Sequence, residues 1–177
     1  LGWASFGHKG VIFPLLVRAI GVLSSIVGTY LVRTSEQARA AMRAIHVGYA
    51  TSAAVSIIGF CAVGFAYLRF PDQALPMWIS FGIPGLDMRP VWTTLVGIAL
   101  AVSINYLTDY FTAPDKSPVQ FVARSTQTGH AMTIISGIAV GYESSVWAVL
   151  TIALAILASC LIYAGTNPTY IAYGVAM

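Results

Sequence analysis

Apolar residues fall along this chain in four long blocks separated by polar connections. The first runs from about Val11 to Val32, the second from about Val47 to Leu68, the third from about Val91 to Phe111 and the fourth from about Val146 to Tyr163. Each comes near the roughly 20 residues that a helix needs to cross the hydrocarbon core of a bilayer. A lone strand would leave its backbone N–H and C=O groups unmet in lipid, so each block is predicted to be a transmembrane helix. Apolar sequence resumes at Tyr170 and continues to Met177, which predicts the start of a fifth helix. Together with the opening on Leu1, this reads as an interior fragment of a longer chain. The fold class is all-α integral membrane, with residues 1–177 as one membrane region.

Between the third and fourth blocks, Gly129 to Gly141 is half apolar and, at about 13 residues, too short to span. It is open as an interfacial helix, a re-entrant piece or an extension of the fourth span. Small and polar residues recur at helical steps of three and four in every block. They are Arg18, Gly21, Ser25 and Gly28; Gly48, Ser52, Ser56 and Gly59; Thr94, Gly97, Ala101 and Asn105; and Ser144, Ala148, Thr151 and Ala155. Such stripes mark helix–helix contacts in membranes, and Gly137 with Gly141 adds a GxxxG. Lining of a conduction path is the sharper alternative.

Composition strengthens the membrane reading. The 177 residues are 58% hydrophobic and only 8% charged, against about 25% charged in soluble domains. The net charge is +3, without the basic and aromatic clustering of a nucleic-acid binder, so that class is excluded. The first connection carries Arg33, Arg39 and Arg43 against Glu36, and the third carries Lys116 and Arg124. The positive-inside rule therefore predicts that loops 33–46 and 112–145 are cytoplasmic, with Lys9, Arg69 and Arg89 counting against it.

Candidate chemistry is sparse. Arg18 is the one charge well inside a block, either a functional group at depth or an anchor that snorkels to the interface. Asp109 and Glu143 are single carboxylates at block edges. Chemistry on phosphates needs several carboxylates converging on Mg²⁺, and no two acidic residues here share a helical face. His8, His46 and His130 lie apart near block ends, and Cys61 and Cys160 sit inside apolar blocks without metal-ligand spacing. No phosphate loop of Walker type is present. The expectation is that this chain holds no catalytic, cofactor-binding or metal-binding residue.

Two segments carry a family resemblance. Phe13 to Gly28 reads FPLLVRAIGVLSSIVG, and Tyr110 to Ser145 reads YFTAPDKSPVQFVARSTQTGHAMTIISGIAVGYESS. Ser-Pro-Val at 117–119, Thr-Gly-His-Ala at 128–131 and Ile-Ile-x-Gly-x-Ala-Val-Gly at 134–141 resemble the membrane-integral pyrophosphatases. These pumps hydrolyse inorganic pyrophosphate to move protons or sodium ions. The chain departs from the pattern at Met132 and Thr133, where the family usually has Thr-Asn.

The resemblance implies a homodimer with about sixteen helices per subunit, of which these would be the seventh to tenth, mainly in the outer ring. It implies Mg²⁺ as cofactor, with K⁺ as an optional second. The family's catalytic motifs, such as DNVGDNVGD and GPISDNAGG, do not occur here, so none of its catalytic residues carries over. The bilayer and the remaining helices of the same protein would be this segment's partners, and pyrophosphate the substrate of the whole. Competing expectations are a segment of a secondary transporter or channel, or a non-catalytic membrane assembly subunit.

Overall fold

The computed structural model describes residues 2–31, 38–69 and 86–177, with the backbone alone for Leu31 and residues 38–44. In chain order the elements are α1 (Gly2–Leu31), α2 (Ala38–Tyr67), α3 (Arg89–Thr112) and α4 (Ser117–Ser125). A single 3₁₀ turn (Thr126–Thr128), α5 (His130–Ile162) and α6 (Pro168–Ala176) follow. Among the described residues no strand forms; Arg69 and Leu86 make one isolated antiparallel bridge. The chain is an all-α integral membrane fragment, and α1, α2, α3 and α5 are each long and apolar enough to cross a bilayer.

The helices overrun the apolar blocks. Residues 38–46 belong to α2 and are not a loop, while 33–37 lie outside the described residues, as does Val32 at the end of the first block. The stretch 112–145 is likewise mostly helical, since it holds α4 and the first half of α5. Gly129 to Gly141 is accordingly no separate piece. Gly129, at φ 121°, breaks the chain before α5, and from His130 nothing interrupts the helix until Ile162. Hydropathy marks where lipid is tolerated, whereas helix length follows from the absence of a breaker. At about 1.5 Å per residue, α5 is roughly 50 Å long, well beyond the ~30 Å hydrocarbon core.

Two compact units divide the chain, one made of residues 1–95 with 159–177 and the other of residues 96–158. The first is organised by α1 and α2, which pack antiparallel. Gly28 meets Gly48 and Ser52, Ser24 meets Ser56, and Ile20 meets Gly59. Near the other end Phe13 joins Leu68 in a buried cluster with Leu86, Met88 and Val91. The Lys9 ammonium bonds the Arg69 carbonyl oxygen and sits 6.0 Å from the centre of the Tyr67 ring. This contact runs over about nineteen residues, close to the full thickness of a bilayer core.

Small residues make the approach. A Cβ added at Gly28 would stand 2.8 Å from Ser52 Cβ and 3.0 Å from the Gly48 oxygen, and one at Gly59 would stand 2.6 Å from Ile20 Cγ2. Ser24 Oγ donates to the Gly21 carbonyl at 2.9 Å, which leaves Ser56 as donor in the 2.5 Å bond between their hydroxyls. The predicted stripe on α2 is therefore a packing face. On α1 the packing stripe keeps Gly28 but replaces Ser25 by its neighbour: Ser24 is buried against α2, while Ser25 is exposed and bonds back to Gly21.

Two further details shape this unit. Gly7 adopts φ 59°, ψ −142° within α1, a conformation open to glycine and strained for other residues. The turn before it folds back so that Gly2 and Gly10 touch. Phe6 then packs on Tyr170 and Tyr173, with ring centres 5.0 and 5.3 Å away, and Ser5 Oγ donates to the Thr169 carbonyl at 3.2 Å. Aromatic contacts thus tie the start of α1 to α6 around a buried Tyr163.

The second unit holds the rest of α3, then α4 and most of α5. Ile104, Leu107, Thr108 and Phe111 of α3 share a shallow cavity of about 190 Å³ with Ser144, Ser145 and Ala148 of α5. Of the predicted stripe on α3, Thr94 is buried, while Gly97, Ala101 and Asn105 are exposed. So are Ile134, Ile138, Val149, Leu154 and Leu157 of α5, each more than half accessible. Such a surface requires lipid or other helices as neighbours.

The close approach gives a first prediction. Gly28→Ala should cost about 1–3 kcal/mol by overpacking, read as a lower midpoint of thermal unfolding in detergent. Ser52→Gly on the same background removes the atom the new methyl meets and should recover part of the loss. Equal stability of Gly28→Ala and the parent protein would rule out this packing.

Candidate functional site

The described residues bring together two groupings of polar side chains that composition does not explain. The first surrounds the start of α3. Asp87 is fully buried and Arg89 is 7% exposed. The Arg89 backbone N–H donates to Asp87 Oδ1 at 3.0 Å, its Nε donates to both carboxylate oxygens at 3.0 and 3.2 Å, and its terminal Nη2 donates to Oδ2 at 2.8 Å. Asp87 in turn is held by its own N–H, which donates to the Leu68 carbonyl at 3.1 Å. The guanidinium also lies 5.6 Å from the centre of the Tyr163 ring.

This arrangement is local in origin. A carboxylate two residues before the N–H it accepts forms a tight Asx-type turn, and Pro90 suits the first turn of the helix that follows. Every carboxylate oxygen of Asp87 is spent on Arg89, so the pair is a clamp at a helix start. It offers no open ligand to a metal ion and no base to a substrate.

The second grouping is a groove along α1. Pro14, Arg18, Gly21, Ser25 and Thr29 line it, with Phe60 of α2 opposite, and its volume is about 650 Å³. Arg18 is exposed on its wall. The straight part of α1 begins after Gly7, so Arg18 stands about 15 Å from one end and about 20 Å from the other. In a core of about 30 Å that is close to the middle, deeper than its position in the apolar block suggested, and snorkelling to an interface becomes harder. A charge at the centre of a span costs about 2.5–3.5 kcal/mol on insertion scales.

The other singled-out residues stay apart. His8 packs its ring edge-on against Trp3 at 4.3 Å, His46 is exposed on α2, and His130 is exposed at the start of α5. Asp109 is half-buried on α3 and Glu143 is exposed on α5. Cys61 and Cys160 are free thiols, both half-buried. Among the described residues no three His, Cys, Asp or Glu side chains converge as metal ligands would. Outside α2, the stripe hydroxyls bond within their own helices: Ser25 donates to Gly21, Thr94 to Pro90, Ser144 to Gly141 and Thr151 to Trp147 and Ala148. A helix in lipid tolerates hydroxyls satisfied in this way.

Sequence reasoning missed the Asp87–Arg89 pair. The available signal was an acid two residues before an Arg-Pro that opens an apolar block.

The clamp gives a second prediction. Asp87→Ala strands a buried guanidinium and should destabilise by about 3–5 kcal/mol. Asp87→Leu combined with Arg89→Met removes both charges and should be more stable than either single variant, measured as thermal midpoints in detergent. A double variant no better than the worse single variant would show that the pair is not energetically coupled.

Comparison with known proteins agrees with a helical segment of this kind. The family model for inorganic H+ pyrophosphatase matches residues 1–177. The "K(+)-insensitive pyrophosphate-energized proton pump" of Chloroflexus aurantiacus is 40% identical over 182 residues, covering 100% of this chain and 22% of its own. The pump of the same name from Streptomyces coelicolor is 35% identical, again over all of this chain and 23% of its own. A "Putative K(+)-stimulated pyrophosphate-energized sodium pump" of Bacteroides thetaiotaomicron is 30% identical over 98% of this chain and 23% of its own. The chain spans less than a quarter of the length of these relatives, and it belongs to the inorganic H+ pyrophosphatase family.

Proposed function

We propose that this chain is an outer-ring helix segment of a pump that couples hydrolysis of inorganic pyrophosphate to ion translocation. The observation that carries the proposal is the family match along all of residues 1–177, with relatives named as pyrophosphate-energized pumps. The physical character of the segment supports it. Among the described residues the helices have apolar outer faces, the buried Asp87–Arg89 pair is internally neutralised, and the contact between α1 and α2 rests on glycine and serine. These are the properties of a frame.

The chemistry belongs to the rest of the protein. Magnesium is the cofactor the family implies, and the residues described here do not fit it. They show no converging carboxylates, and Asp87 is committed to Arg89. The two higher identities quoted are to K(+)-insensitive proton pumps, against 30% to the putative sodium pump. That favours protons as the transported ion and independence from potassium. Homodimerisation, and the cytoplasmic placement of residues 33–46 and of the connection holding α4, belong to the same proposal.

Membranes bearing the complete protein should hydrolyse pyrophosphate only with Mg²⁺ present. A protonophore should speed turnover by collapsing the opposing gradient, while a sodium ionophore and added K⁺ should change little. Acceleration by the sodium ionophore would reassign the ion. Absence of hydrolysis in folded, inserted protein would defeat the enzyme reading.

A further inference from the structure

The groove on α1 holds a feature that a scaffold does not require. Arg18 stands near mid-span on the wall of a 650 Å³ groove. Among the described residues no carboxylate pairs with it, the one ion pair there being Asp87 with Arg89. A guanidinium never gives up its proton in a protein. Within a bilayer such a charge turns toward the protein interior and meets an opposite charge or backbone carbonyls. The walls beside it are low. Gly21 has nothing within 4 Å of the place its Cβ would take, and Ser25 and Thr29 have folded their hydroxyl protons back onto α1. One α-helix could lie along this trough at close range, with small residues admitting its backbone.

We infer that the groove receives a transmembrane helix from the remainder of the same polypeptide, and that this helix presents an Asp or Glu carboxylate to Arg18. Two observations choose this occupant over others. The charge is complementary, since a cation held at membrane depth selects an anion. The relatives extend the chain more than fourfold, because this segment covers only 22% of their length, so most of the helices of the assembled protein lie outside residues 1–177. A lipid tail would fill the trough but leave the guanidinium unpaired at depth, and a lipid phosphate sits at the headgroups, far from mid-span. The inference rests on the reading of this chain as a segment of a larger membrane protein. It assigns Arg18 as the residue that fixes how the segment docks.

The test uses the complete protein in its native membrane, with the photoreactive residue benzoylphenylalanine replacing Val22 on the groove wall. After irradiation, peptide mass spectrometry should place the crosslink on an apolar helix outside residues 1–177 of the same subunit, with Asp or Glu within about one turn of the linked position. Adducts to lipid alone, a link that joins two subunits on a denaturing gel, or a link to a helix without a carboxylate would each overturn the proposal. A second measurement does not depend on the crosslink. Arg18→Glu should lower the yield of detergent-stable protein about tenfold, and changing the identified carboxylate to Arg on that background should restore most of it; no restoration would also overturn the pairing. Pyrophosphate hydrolysis by the unirradiated protein is read separately, so failure of the docking and failure of the pump reading give different results.

Discussion

Lipid offers a backbone no water to bond, and everything else in this segment follows from that constraint. Each stretch at membrane depth must close its own hydrogen bonds, which makes it a helix. Once helical, a chain so poor in charge has no aqueous surface to show. Association cannot then be driven by burying apolar area from water, because the tails are as apolar as leucine. What remains is close packing and polar contact, and α1 and α2 use both. Gly28 and Gly59 let the helices approach, and Ser24 with Ser56 supplies a hydrogen bond where they meet.

The same constraint sorts the polar groups. Hydroxyls exposed along the helices are satisfied by carbonyls one turn earlier. The buried carboxylate of Asp87 sits within a two-residue turn with the arginine that neutralises it; the Asp87 N–H is anchored to Leu68, and the guanidinium lies against the Tyr163 ring. Arg18 is the exception. Among the described residues no carboxylate meets its charge.

Much of the architecture was legible in the residues because block length and helical period are direct consequences of the solvent. The α2 stripe could be read in register, since glycine and serine at steps of three and four allow one packing face. On α1 the adjacent serines 24 and 25 give period alone no means of choosing, and only the partner helix selects Ser24. The stretch from Gly129 to Gly141 resisted reading because its hydropathy is intermediate, while its helicity depends on the lack of a breaker after Gly129. The clamp at Asp87 was hidden for a different reason. Charges counted for topology were treated as surface flanks, whereas a bidentate pair can be buried without a net charge. The pump chemistry was legible only through the family motifs at 117–119, 128–131 and 134–141.

The central claim is that α5 is one continuous helix that crosses the bilayer and projects beyond it. Single cysteines placed at each position from His130 to Ile162, in complete protein carrying Cys61→Ala and Cys160→Ala, can be probed with a membrane-impermeant thiol reagent from each side in turn. The account predicts labelling from one side only over the first third of α5, followed by about 20 consecutive protected positions. Labelling at every third or fourth position along the whole helix, or at its start from both sides, would contradict it.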